Sequence, residues 1–318
     1  MKQSLCRFLY LIVLAVWFPG LLLAQTSSAP TDFRVTLLGT GTPRPDIDRF
    51  GPSTLVQVGN QRLLFDAGRG ATIRLNQVGV PLGGITAVFL THLHSDHVNG
   101  LSDVWLTGWS YGKRVSAFRV FGPTGTREMM SHLERAHRED IRIRIADERL
   151  PASGVAVDAA DVTEGIVYEH DGVRVTTFDV DHGELIKPAL GYRVEFGGRS
   201  VVLSGDTRFS ANLVTHAKGA DVIIHEVMAA SESFLAQSEA GRRVMAHHTS
   251  PEDAARVFAD VGPRLAVYSH ITLAGVSEDE LVRRTKSTFT GRLEVGSDLM
   301  TIDVNEVVRI TRPDEASR

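Results

Sequence analysis

The densest chemistry in the chain is His92-Leu93-His94-Ser95-Asp96-His97, which packs three imidazoles and a carboxylate into six residues. In an extended segment, residues 92, 94 and 96 share one face. Where a strand gives way to a helix, all four polar side chains can turn into one cavity. Crowding them there is costly unless a cation pairs them. Imidazole and carboxylate without sulfur suit zinc first, then manganese, iron or nickel. One loop cannot close two metal sites, and four later residues follow apolar runs in the same way. They are His182 after Phe178-Asp179-Val180, Asp206 after Val201-Val202-Leu203-Ser204-Gly205, His225 after Val222-Ile223-Ile224, and His270 after Ala266-Val267-Tyr268-Ser269. Repetition of "apolar strand, then His or Asp" points to one shared site at a common edge.

The elements that must position these residues are short and mixed. Residues 33–38 read as a strand ended by Gly39-Thr40-Gly41-Thr42-Pro43. Residues 53–58 and 62–65 read as a hairpin across Gly59-Asn60. Further strands are expected at 86–90, 118–121, 173–180, 191–196, 200–203, 221–224, 265–268 and 299–304. Helices are expected at 71–78, at about 126–138, and at 251–261, where Thr249 or Ser250 supplies the N-cap. Residues 140–165 have weak periodicity and read as an excursion. Strands first, then strand–helix units, predict an α/β (α+β) fold: a four-layer αββα sandwich of two mixed sheets.

The chain has 318 residues, and at roughly 100–200 residues per domain this allows one large domain or two small ones. No composition break divides it. The first 24 residues combine Lys2 and Arg7 with an apolar run from Phe8 to Leu23 and a small residue, Ala24. They predict a signal peptide at 1–24, a linker at 25–32 and one domain at 33–318, exported to the periplasm or beyond and free of the membrane after cleavage. The lone Cys6 lies in that leader, so the mature chain has no thiolate to offer a metal. Its loss takes the net charge from −4 to −6. An acidic balance argues against a protein that wraps phosphates, so nucleic acid is an unlikely partner on this reading. Arginines between Arg135 and Arg149 are interleaved with acids and read as a solvated, ion-paired face.

Thr91-His92-Leu93-His94-Ser95-Asp96-His97 resembles the HxHxDH signature of the metallo-β-lactamase fold. Leu38 to Pro43, Phe65-Asp66-Ala67-Gly68, Ser204-Gly205-Asp206-Thr207 and Tyr268-Ser269-His270 resemble its other motifs, in order. Ile224-His225-Glu226 and His248-Thr249-Ser250 resemble the ribonuclease Z branch. The segment from Gly41 to Ser53 looks closer to arylsulfatase-like relatives. The resemblance spans Phe33 to about Val304. It implies two divalent cations, most simply zinc: His92, His94 and His182 on the first, Asp96, His97 and His270 on the second, and Asp206 bridging. It implies that His225 is not a direct ligand and that Asp66 and Thr91 orient the imidazoles. It also implies His248 as proton donor to the leaving group, Glu226 holding its tautomer, and Asp96 as base for water.

Trp109 and Tyr111 are candidates for an aromatic wall against the substrate. His247 is expected to point away from the site. These readings lead to an exported dinuclear-metal hydrolase of a small anionic sulfate or phosphate ester, arylsulfatase-like, and possible as a homodimer. The alternatives are a ribonuclease Z-type tRNA 3′-processing endonuclease, a lactone or β-lactam hydrolase and, outside enzymes, a metal-binding protein.

Overall fold

A computed structural model describes residues 33–313. The expected leader (1–24) and linker (25–32) lie outside the described residues. Fifteen strands among the described residues form two sheets. In spatial order, the first sheet runs Val308–Thr311, Thr301–Val304, Phe33–Gly39, Ser53–Val58, Gln61–Phe65, Ala87–Phe89, Phe118–Gly122 and Val157–Asp161. The second runs Leu293–Val295, Leu265–Ala274, Val222–Ala230, Arg199–Leu203, Leu190–Phe196, Val173–Asp179 and Gly165–His170. Each sheet is antiparallel over its hairpins and parallel over its crossovers, with the change at Gln61–Phe65 in the first and at Arg199–Leu203 in the second.

The layers follow from which faces are apolar. Phe33, Val35, Phe65 and Phe89 of one sheet pack against Val175, Tyr192, Val194 and Val201 of the other. A second core joins the outer face of the second sheet to the helices Ala211–Ala217, Pro251–Val261 and Glu278–Lys286. A third joins the first sheet to Ala71–Gln77, Leu101–Ser110 and Thr126–Ala136. Val222–Ala230 is buried at all nine positions, as a strand covered on both faces must be. This is the expected αββα sandwich.

Three local readings change. The helix expected at 126–138 breaks at His137 (φ −97°, ψ 6°), and a second helix follows over Arg138–Ala146. The excursion resolves into that helix, a short turn and the strands at 157–161 and 165–170. The strands expected to stop at 224 and 268 continue to 230 and 274, and this matters at the site.

The loop from Thr40 to Pro52 is held down by one buried carboxylate. Asp298 accepts hydrogen bonds from Thr40 N (2.9 Å), Thr40 Oγ1 (2.8 Å) and Phe50 N (2.8 Å), and pairs with Arg74 at 3.1 Å. Both members of the pair are buried. Burial pushes the Asp298 carboxyl up, and these donors oppose it. Asp298→Ala would strand the Arg74 guanidinium without its carboxylate. The expected cost is about 3–5 kcal/mol of stability, read from denaturant unfolding.

Candidate metal centre

Both sheets deliver their polar residues at strand ends on one edge. Asp66 follows Gln61–Phe65, His92 to His97 follow Ala87–Phe89, His182 follows Val173–Asp179, and Asp206 follows Arg199–Leu203. Such a rim is the usual ligand site of open α/β sheets. The metal-ligand loop lies on Gly68: a Cβ there would sit 2.6 Å from the Asp96 carbonyl oxygen, so only glycine lets the two segments approach.

His270 arrives differently. The parallel pairing runs His225↔Tyr268 and then Val227↔Ile271, so Glu226 stands opposite two residues, Ser269 and His270. This bulge, with His270 at φ 47°, interrupts the ladder inside two continuing strands. Asp66 also takes a left-handed backbone, φ 56°. Sparsely populated backbone at a polar cluster is the kind of strain that functional sites retain.

His92, His94 and His182 have ring nitrogens within 4.8 Å of one another, as do the ligand atoms of Asp96, His97 and His270. Asp206 lies between the two groups. Its Oδ2 is 3.9 Å from His92 Nε2, 3.8 Å from His182 Nε2, 3.4 Å from His97 Nε2 and 3.4 Å from His270 Nε2. Nε2 of His92, His97 and His182 is buried without a hydrogen-bond partner. Three orphaned nitrogens facing one carboxylate, with no sulfur, are a donor set suited to divalent cations.

The outward nitrogens of His92, His97 and His182 are engaged, whereas His270 Nδ1 is buried without a hydrogen-bond partner. His97 Nδ1 donates to Asp66 Oδ2 at 2.8 Å. Thr91 donates to Asp66 through its N (2.8 Å) and Oγ1 (2.9 Å), and Oγ1 lies 3.0 Å from His92 Nδ1. His182 Nδ1 donates to the His247 carbonyl at 2.8 Å. Each contact fixes a tautomer that leaves Nε2 toward Asp206. His225 sits behind the cluster. Its Nδ1 donates to its neighbour's carbonyl at 2.6 Å, and the ring meets Phe258 edge-on. It lines a cavity of about 50 Å³ and belongs to neither ligand group.

His248 Nδ1 is 3.2 Å from Glu226 Oε2, and its ring stacks on His270 at 5.7 Å. Glu226 is fixed by Thr249 N (2.8 Å) on its other oxygen. Ser250 caps the helix Pro251–Val261 by accepting from Asp253 N, which pins the residues before it. Burial alone would lower the His248 imidazolium. Glu226 and, further off, Asp206 outweigh it and raise it to about 9. Burial would also protonate Asp96, but the His270 and His97 imidazoles beside it keep its carboxyl below the usual range.

The structure corrects three expectations about side chains. Trp109 is buried in the helix layer and donates to the Pro151 carbonyl, so it presents no face to a substrate. Tyr111 is 74% exposed and lines a groove with Asn76 and residues 79–82, away from the histidines. In both cases a helix ending at Ser110 turns them from the rim. His247, expected to point away, has a ring nitrogen grouped with those of His182 and His248. Its signal was its place beside His248, which sequence alone could not aim. The arginine face is ion-paired as expected, Arg142 with Glu139 and Arg144 with Asp140.

A family model described as "Beta-lactamase superfamily domain" matches residues 61–271. Ribonuclease Z of Mycobacterium marinum is 37% identical over 275 residues, covering 85% of this chain and 98% of that one. Ribonuclease Z of Mycolicibacterium paratuberculosis is 39% identical over 275 residues with the same coverage. The chain belongs to the metallo-β-lactamase superfamily, in its ribonuclease Z branch. Human tRNase Z, short form, shares the fold at TM-score 0.66 and 19% identity over 86% of this chain and 99% of its own. A metallo-β-lactamase fold protein from Bacillus subtilis, YhfI, does so at TM-score 0.65 and 18% identity, over 85% and 98%.

As a member of this branch, the chain is a metal-dependent hydrolase of ester bonds. The arylsulfatase-like expectation is overturned, because relatives matching nearly end to end are ribonucleases. The expectations of a small anionic ester as substrate and of nucleic acid as an unlikely partner fall with it. Net charge was the weak step: it sums over the whole surface and says nothing of the rim where a phosphate would bind.

Proposed function

We propose that this chain is a phosphodiesterase of RNA, cutting at the 3′ side of tRNA precursors as a ribonuclease Z. The observation that carries the reading is the ligand cage joined to the Glu226–His248 pair, in a chain 37–39% identical to ribonuclease Z over most of its length. His92, His94 and His182 would hold one divalent cation, Asp96, His97 and His270 the other, and Asp206 both, with zinc the first choice for this donor set. When bound, such a pair makes hydroxide available near neutral pH and neutralises charge on phosphate oxygens.

The chain's own groups supply the rest. Asp96, held ionised, can take the proton of the attacking water. His248, with Nδ1 engaged by Glu226, keeps Nε2 for the leaving ribose oxygen and delivers its proton there. Asp66 fixes the His97 ring. Asp66→Asn keeps the shape but weakens this orientation, and is expected to lower metal affinity about 10–100-fold in competition with a chelator. Unchanged affinity would remove Asp66 from that role. Incubation of the metal-loaded chain with precursor tRNA, and with nitrophenyl sulfate as comparison, tests the function as a whole. Cleavage of the RNA is expected.

A further inference from the structure

One groove at the edge of the cluster has no part in the chemistry above. Its floor is His92 and His94, and its walls come from Leu93, Pro123 and the run from Leu185 to Pro188. It encloses about 220 Å³. The loop is anchored on both sides of that run. Val180 N donates to the Ala189 carbonyl at 2.9 Å, Leu190 N to the Thr91 carbonyl at 2.8 Å, and His182 Nδ1 to the His247 carbonyl. Gly183, at φ 99°, lets the chain leave the site; a Cβ there would lie 3.2 Å from that of His247.

Between the anchors Leu185 is 97% exposed, the highest value among the large apolar side chains described. A single exposed leucine needs no explanation. One that borders a slot of mixed polar and apolar lining, with two candidate metal ligands in its floor, does. Lys187 adds a positive charge, in an exposed contact with Glu184 at 3.4 Å and within electrostatic reach of Asp181. A flat ring with polar edges, tethered to a phosphate, matches a slot of this mixed chemistry, and every nucleobase offers such a face.

We infer that Leu93 and the 183–188 loop seat the nucleobase next to the scissile phosphodiester, with Leu185 closing over its face. This rests on the RNA diesterase reading, and the test separates the two. Leu185→Asp, at a fully exposed position, leaves the fold intact, which a matching thermal midpoint checks. The metal-loaded full chain and the variant are compared on a short single-stranded RNA and on methyl 4-nitrophenyl phosphate, a diester without a base. The loss in kcat/KM on RNA is expected to exceed that on the small diester by about ten-fold, the equivalent of about 1.4 kcal/mol. It is expected to vanish when one nucleotide flanking the cut is abasic. Equal losses on both substrates, no loss on either, or an abasic substrate that still senses the variant would overturn the groove assignment. Hydrolysis of the small diester but not of RNA by the unsubstituted chain, or of neither, would instead overturn the RNA diesterase reading.

Discussion

Asp206→Ala is expected to lower phosphodiester hydrolysis by about 10³-fold or more and to empty at least one metal position. The reason is positional. Among the described residues, Asp206 Oδ2 is the one carboxylate oxygen within 4 Å of Nε2 of His92, His97, His182 and His270 together. Removing it leaves four buried imidazoles crowding one another, with Asp96 still beside His97 and His270 but, among the described residues, no carboxylate within 4 Å of His92 or His182. In the native chain that carboxylate is held well below the usual carboxylate range. Burial works against this, and the surrounding imidazoles, His270 and His97 first, overcome it. Metal analysis of the purified variant checks the prediction. Full occupancy by two ions would show that Asp206 does not bridge.

His248→Ala is expected to have the second largest effect, and to have it selectively. A ribose oxygen leaves poorly without a proton, so RNA cleavage should fall by about 10²–10⁴-fold. A nitrophenolate leaves readily unprotonated, so the same variant should lose far less on methyl 4-nitrophenyl phosphate. Glu226→Gln should follow the same pattern more weakly, since it leaves His248 in place but removes the charge that raises it to about 9. An equal loss by His248→Ala on both substrates would assign His248 to binding or folding.

These residues also show what the sequence could reveal. The His92–His97 loop was legible because its density admits few other uses, and the order of later His and Asp residues was enough to name a fold. The strand-end placement of His182 and Asp206 was legible for the same reason. His270 was named for the wrong local cause and Glu226 through the resemblance alone. His270 was read as following a strand end, whereas a bulge inside two long parallel strands places both residues at the site. A bulge has no residue signature, because it is a property of the pairing rather than of either strand.

Trp109 was misread because an aromatic in a helix next to a site is equally at home in the core, and Trp105 and Trp109 both ended there. The 183–188 loop escaped notice because its importance lies in the walls opposite, Leu93 and Pro123, which are remote in sequence. The cage and the Glu226–His248 pair do not distinguish a sulfate ester from RNA. That difference lies in the surfaces around them, which folding assembles from distant segments.

The most direct test is incubation of the full chain, with its metal content measured, with a 3′-extended tRNA before and after chelation. Endonucleolytic removal of the extension, lost on chelation and restored by zinc, is expected. Intact RNA from a chain that carries both ions, or cutting that survives complete metal removal, would contradict the assignment of this cage to RNA hydrolysis.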